Sequence, residues 1–247
     1  MERAALRRRL TWQVGTVVEV IEETARTRSI ALDVPDWPGH RAGQHVDVRL
    51  TAEDGYQAQR SYSIASAPDD PELVLTVEEI EGGEVSPYLV EELRAGDGLE
   101  LRGPIGGYFV WEAALGGPLL LLAGGSGVVP LRAMLRHRLA SGSDAPLRLL
   151  YSARSLEDVI YRDELTRAGA DDDVDIRFTL TRSQPAGWKG YARRVDLELI
   201  REFAWAPDER PLTYICGPNG FVEAAASALV ALGQEPARVK TERFGPS

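Results

Sequence analysis

The chain has 247 residues, with 28 Lys+Arg against 38 Asp+Glu and a formal net charge of −10. That length builds one large domain or two of about 120 residues, and 44% apolar with 27% charged residues is a globular composition, not a disordered or collagen-like one. A single cysteine, Cys216, excludes an intrachain disulfide and any four-cysteine zinc or iron–sulfur site. His40, His45 and His137 are too few for a histidine-rich metal site, so no metal is expected. The acidic balance argues against general nucleic-acid binding, which needs a basic face.

The opening MERAALRRRLTW carries arginines but no apolar run, so no secretory signal is expected. The longest uncharged stretch, residues 113–131, is broken by glycines and prolines and reads as a loop, a buried strand and a glycine turn, not as a membrane span. The expectation is a cytoplasmic protein.

From residue 12 to about 110 the apolar runs are short and several alternate. QVGTVVEVIEE, RSIALDV, QHVDVRL, AQRSYSIA, ELVLTVEE and GLELRG predict six strands, separated by turns such as PDWPGHRAG and APDDPE. Six such strands suit a small antiparallel barrel or sandwich. One helix is predicted over residues 86–94, ending before Gly96. WEAALGG, residues 111–117, reads as the linker. Beyond it, LLLLA precedes GGSGVVP and the helical LRAMLRHRLA; PLRLLYSA precedes RDELTRA; DIRFTLT precedes VDLELIREF; and LTYIC precedes GPNGFVEAAASALVAL. Buried strands alternating with helices predict a parallel sheet covered on both faces. The domains are therefore expected at 12–110 and 117–247, with no internal repeat.

Three places carry chemistry. Gly124, Gly125 and Gly127 lie between a strand and a helix opened by Pro130. Glycines permit close approach of a ligand, and a helix N-terminus favours an anion such as a pyrophosphate. The turn is not the G-x-G-x-x-G fingerprint, and a tight structural turn explains it equally well. Arg60-Ser61-Tyr62-Ser63 offers an aromatic face for a flat ring and an arginine for a phosphate; an amphipathic strand with Tyr62 in the core is the alternative. Cys216-Gly217-Pro218 ends a strand, where ligands of open α/β sheets bind; a small buried apolar residue is the alternative for Cys216.

Taken together, RSYSIAS, GGEVSPYL, GPIGGYF, AGGSGVVPL, YICGPNGF and a terminal ERFG occur in that order. The chain thereby resembles the ferredoxin–NADP⁺ reductase superfamily over residues 12–245. The resemblance implies a six-stranded antiparallel Greek-key β-barrel as flavin domain, then a doubly wound α/β domain with a five-stranded parallel sheet. It implies that Tyr62 packs against an isoalloxazine, Ser63 bonds near its N5 and Arg60 meets the flavin phosphates. The backbone at Ile64, Ala65, Thr76, Val77 and Glu78 would flank the ring and ribityl chain. Gly83, Val85 and Ser86 match the second phosphate segment, where many members carry a basic residue upstream and this chain has Glu78 and Glu79. FAD is expected, with FMN the alternative.

In the second half, the resemblance implies that Gly125, Ser126, Gly127 and Pro130 hold a nicotinamide nucleotide. It places Cys216, Gly217 and Pro218 beside the nicotinamide, with Cys216, Ser63 and Glu242 at the reacting atoms, and Phe244 over the flavin. Thr181-Arg182 resembles the pair that contacts the 2′-phosphate of NADP, with help from Arg154. NADPH is therefore expected, NADH being the other choice. Tyr191 suits either adenine stacking or core packing.

The implied activity is that of a flavin-dependent NAD(P)H oxidoreductase. The cysteine count forbids a fused cluster within these residues, so electrons are expected to pass to a separate small redox protein such as a ferredoxin, a flavodoxin, or an oxygenase or molybdoenzyme partner. A free-flavin or ferric-chelate reductase, or a non-catalytic flavin-binding regulatory subunit, are the competing readings. Arg7, Arg8 and Arg9, or Arg132, Arg136 and Arg138, are expected to form the basic docking patch, unless the latter are an ordinary solvated helix face.

Overall fold

The computed structural model describes residues 10–245; Arg7, Arg8 and Arg9 lie outside them. In the first half, β1 (Gln13–Thr24), β2 (Thr27–Asp33), β3 (His45–Thr51), β4 (Gln57–Ser63), β5 (Leu73–Glu78) and β6 (Gly98–Ile105) form one antiparallel sheet in the order β4-β3-β6-β1-β2-β5. The sheet closes where Ile64 bridges Leu75 and the Ala65 N–H donates to the Val74 carbonyl at 2.7 Å. Alternation along the strands turns Ile30, Leu32, Val46, Val48, Leu75, Val77, Leu99 and Leu101 into one buried interior.

The helix predicted over residues 86–94 is shorter than expected. It holds one π-helical turn, Tyr88–Glu92, whose signature is the Leu93 N–H donating to the Tyr88 carbonyl at 3.0 Å. Leu93 then turns extended, which drops its side chain into the barrel interior beside Leu89. Burial of those leucines, worth about 2 kcal/mol each, outweighs continuation of the helix.

The second half runs β7 (Leu119–Gly124), α1 (Val128–Ala140), β8 (Leu147–Ala153), α2 (Arg162–Ala168), β9 (Val174–Leu180), α3 (Leu197–Phe203), β10 (Leu212–Pro218), α4 (Asn219–Ala231) and β11 (Val239–Phe244). The five strands are parallel in the order β11-β10-β7-β8-β9. The unbroken leucine run of β7 has the expected cause. Leu119 and Leu121 pack on one face and Leu120 and Leu122 on the other, under helices on both sides. The chain steps from β7 outward to β8 and later returns to lay β10 on the opposite side of β7. A crevice opens beyond the strand ends at such a switch point.

The two halves share a core. Ala42, Ala65, Phe109 and Trp111 pack with Leu121, Val129, Met134, Tyr214 and Cys216 in one buried cluster. Trp111, the first residue of the expected linker, is fully buried and donates its indole N–H to the Gly116 carbonyl at 3.1 Å. Gly43 sits at φ +98°, and a Cβ there would lie 2.0 Å from the Phe109 carbonyl oxygen. Among the described residues no helix is long and apolar enough to cross a membrane.

Candidate active site

A cleft of about 750 Å³ lies between the halves. The barrel contributes the β1–β2 turn, residues 24–27, and Glu78; the sheet contributes the strand ends at Gly124, Ser152, Thr181, Pro218 and Phe244. This is the crevice that the strand order predicts.

Glycines shape its floor. After β7 the chain makes a 3₁₀ turn, Gly125–Gly127, before α1 begins at Val128, two residues ahead of Pro130. Pro130 in the first turn loses no helical bond, because the first four N–H groups of a helix have no partner within it. Gly125 needs its left-handed φ of +54°, whereas Gly127 needs its bareness: a Cβ there would stand 2.1 Å from the Cys216 carbonyl oxygen and 2.7 Å from the Gly217 nitrogen. The glycine turn and the Cys216-Gly217-Pro218 strand end are thus in direct backbone contact. Phe221 lies over both Gly124 and Gly217, where added Cβ atoms would meet its ring at 2.8 and 2.9 Å. The cleft-lining turn at residues 124–126, which leads straight into the N-terminus of α1, presents bare backbone of the kind that suits a dinucleotide phosphate, so the residues fit such a ligand.

Cys216 is buried with Tyr214 on the face that packs against the barrel, and it pairs in register with Glu242 of β11. Burial, and then the neighbouring Glu242, push the thiol well above its ordinary range. It is therefore a neutral, buried thiol behind the strand end. Glu242, half-buried, is pushed up by burial to about 7. The folded chain then holds a proton on Glu242 that the unfolded chain has lost, between its ordinary 4.5 and about 7. Stability from this group falls as pH rises through that window. Glu242→Gln is expected to flatten the stability–pH curve over that range, as read by denaturant titration at stepped pH. An unchanged slope would show that Glu242 ionises freely.

On the barrel side, Tyr62 is half-buried at the end of β4 and packs against the barrel core, and burial pushes its phenol up to about 12. Ser63 is half-buried beside it, opposite His45. Ala65, three residues beyond Tyr62, belongs to the same buried cluster as Cys216. The Ile64 and Ala65 N–H groups are spent inside the barrel, on the Gln44 and Val74 carbonyls at 2.9 and 2.7 Å. They can flank a ring by shape but not by donation. The Thr76 hydroxyl is likewise taken, by Tyr161 and Ser29 at 2.5 and 2.8 Å, while Val77 and Val85 point into the core. Ser86 accepts the Ile80 N–H at 3.0 Å and holds the Gly83 turn closed. Arg60 is exposed, with one guanidinium edge on Glu84 at 2.6 Å. A half-buried phenol face, an exposed arginine and a glycine-bearing loop are the donor set a flavin nucleotide requires. Tyr62→Ala is expected to lower flavin retention about tenfold or more by equilibrium dialysis, from loss of a stacked aromatic face; undiminished retention would assign Tyr62 to the core alone.

Arg154 and Thr181 line the cleft, whereas Arg182 is exposed beside it, its N–H bonded to the Arg154 carbonyl at 2.9 Å. Arg194 and Phe221 also line the cleft and escaped the sequence reading. Phe221 follows the CGPNG turn directly, which was a readable signal. Arg194 sits in YARRV, where nothing local separates it from a surface arginine. Among the described residues, none of Arg154, Arg182 and Arg194 is in an ion pair. Tyr191 packs against the sheet core and donates to Glu202 at 2.9 Å, which favours the core-packing alternative.

The expectation for Arg132, Arg136 and Arg138 is overturned. Arg132 clasps Glu164 at 2.7 Å and reaches the Ala65 carbonyl at 3.2 Å; Arg136 pairs with Asp70 at 2.7 Å; Arg138 is buried on the Ala145 carbonyl and Asp171. Arg132 and Arg136 thus join α1 to the barrel, Arg138 ties it to the loops around Ala145 and Asp171 within its own half, and the three form no free basic patch.

Residues 15–110 match the oxidoreductase FAD-binding domain and residues 121–227 the oxidoreductase NAD-binding domain. The chain is 41% identical over 209 residues to ferredoxin–NADP reductase B of Sorangium cellulosum, covering 82% of this chain and 84% of that protein. It is 32% identical over 251 residues to the glycine betaine monooxygenase reductase subunit of Pseudomonas aeruginosa, covering 96% of this chain and 66% of the subunit. Among solved structures, the FAD/NAD-binding domain of nitric oxide dioxygenase from Vibrio cholerae superposes with a TM-score of 0.83 at 26% identity, covering 95% of this chain and 99% of that one. With both halves matched in order on the fold and cleft just described, the chain belongs to the ferredoxin–NADP⁺ reductase superfamily of FAD-dependent, NAD(P)-linked oxidoreductases.

Proposed function

We propose that this chain oxidises NADPH and delivers the electrons, with FAD as its cofactor, to a small redox protein of the ferredoxin type or an oxygenase component. The observation that carries the reading is the backbone contact of Gly127 with Cys216-Gly217, which sets the nucleotide turn against the strand end on the barrel-facing side of the sheet. FAD, when bound, supplies the exchange between two-electron donors and one-electron acceptors. The residues supply position and dryness: Cys216 as a neutral thiol behind the strand end, Phe221 over the glycines, and Phe244 at the rim. The names of the Sorangium and Pseudomonas relatives support an acceptor of this class, and one cysteine leaves these 247 residues unable to carry a cysteine-ligated cluster themselves.

Anaerobic titration of FAD-loaded protein with NADPH and NADH tests the reading. Flavin absorbance is expected to bleach with both, at lower concentration for NADPH, and turnover is expected to rise when a ferredoxin is added. No bleaching would refute the enzyme. Fast turnover on free riboflavin with no gain from a ferredoxin would replace the acceptor.

The coenzyme preference rests on Arg154, Arg182 and Arg194 around Thr181. Arg154→Ala or Arg194→Ala is expected to raise KM for NADPH about tenfold with little change for NADH, because each removes a cleft-lining charge available to the 2′-phosphate that NADH lacks. Arg182→Ala is expected to act in the same sense. Equal changes for both coenzymes would remove the assignment.

A further inference from the structure

Glu84 stands between Gly83 and Val85 in the loop assigned to the flavin phosphates. Its carboxylate takes the Arg60 guanidinium on Oε2 at 2.6 Å and the Tyr56 hydroxyl on Oε1 at 2.5 Å. Tyr56, just ahead of β4, and Arg60 within it both reach this loop, which lets one carboxylate bridge them. The Tyr56 hydroxyl and the Arg60 guanidinium hold this carboxyl below the usual carboxylate range, so it is anionic at neutral pH. All three side chains are exposed, with Arg60 and Glu84 at 52% and 46%. An ion pair in that setting is weak and breakable. An incoming phosphate must share Arg60 with a carboxylate already on it, and two anions on one guanidinium repel each other.

We propose that Glu84 is an internal competitor of the flavin diphosphate for Arg60, making FAD less tightly held and more readily exchanged than the arginine alone would make it. The inference rests on the assignment of Arg60 to the flavin phosphates. An alternative role, in which Glu84 merely braces the loop for binding, gives the opposite sign and is separated by experiment.

The test is equilibrium titration of flavin-stripped protein with FAD and with riboflavin, read by flavin fluorescence at low and high ionic strength. Glu84→Gln keeps the size and an acceptor oxygen for Tyr56 and Arg60 but removes the charge. It is expected to bind FAD about two- to fivefold more tightly at low salt, the range of one exposed ion pair, with the gain shrinking at high salt. Riboflavin, which has no phosphate, is expected to bind both proteins equally. Unchanged or weaker FAD binding by Glu84→Gln overturns the proposal, as does an equal gain for riboflavin. Arg60→Ala serves as the arm that tests the underlying assignment. If it leaves FAD affinity unchanged, Arg60 does not hold the phosphates and the competition falls with it. If it weakens FAD while Glu84→Gln gives no gain, the assignment stands and only the competition is lost.

Discussion

Replacing Gly127 by alanine is expected to destabilise the protein by about 3 kcal/mol, a fall in Tm of roughly 6–12 °C, and to slow NADPH-driven flavin reduction at least tenfold. The cause is purely steric. Gly127 has φ −63° and ψ −10°, a conformation any residue adopts. A methyl group there would stand 2.1 Å from the Cys216 carbonyl oxygen and 2.4 Å from its carbon, both backbone atoms that cannot rotate away. The glycine turn must therefore lift off the end of β10, which displaces α1's N-terminus and the Cys216-Gly217 peptide together. Gly125→Ala is the internal control. Its φ of +54° strains an alanine, but no atom lies within 4 Å of the added carbon, so about 1 kcal/mol is expected. Thermal melts and stopped-flow reduction of the two variants decide the matter; equal behaviour would mean that the contact with Cys216 is not what the turn is built for.

Loss of Arg132 is expected to cost about 3 kcal/mol or more. Its guanidinium binds Glu164 through both Nε and Nη2, at 3.0 and 2.7 Å, donates to the Ala65 carbonyl at 3.2 Å, and lies 4.3 Å from the centre of the Tyr161 ring. Removing one partner of such a pair strands the other charge in a half-buried place. The remaining contact of Glu164 with Arg136, at 3.5 Å, restores only part of it. Tyr161 is buried and left-handed at φ 59°, and its hydroxyl bonds Thr76 of the barrel. The arginine and the tyrosine thus form one polar seam between the halves. Arg132→Ala should therefore loosen the seam as well as lower the denaturation midpoint, slowing flavin reduction while FAD affinity changes little. Arg132→Lys should rescue less than half, because a point charge cannot serve a carboxylate fork and a carbonyl at once. A midpoint within experimental error of the parent protein would show the seam to be dispensable.

Much of this was legible in the chain because its signals are local. The barrel strands show period two, and the leucine run of β7 is buried on both faces, so each announces its own environment. The glycine turn and the Cys-Gly-Pro end stand where strands stop, and their order carried the family resemblance. Polar side chains were read less well. Arg132, Arg136 and Arg138 look like a solvated helix face until Asp70, Glu164 and Asp171 are placed opposite them. Which partners take the Thr76 hydroxyl and the Ile64 and Ala65 N–H groups was likewise visible only once the barrel had closed and met Tyr161.

By itself, the sequence determined the two halves, the strand and helix order, and the glycine-lined crevice, since periodicity and backbone freedom are properties of a residue and its neighbours. Only the tertiary structure decided which charges are free and which glycines are pressed against backbone. Arg60 meets Glu84, and Gly127 meets Cys216, across separations of chain that no local pattern encodes. A charge or a void acquires its energy from whatever folding brings opposite it.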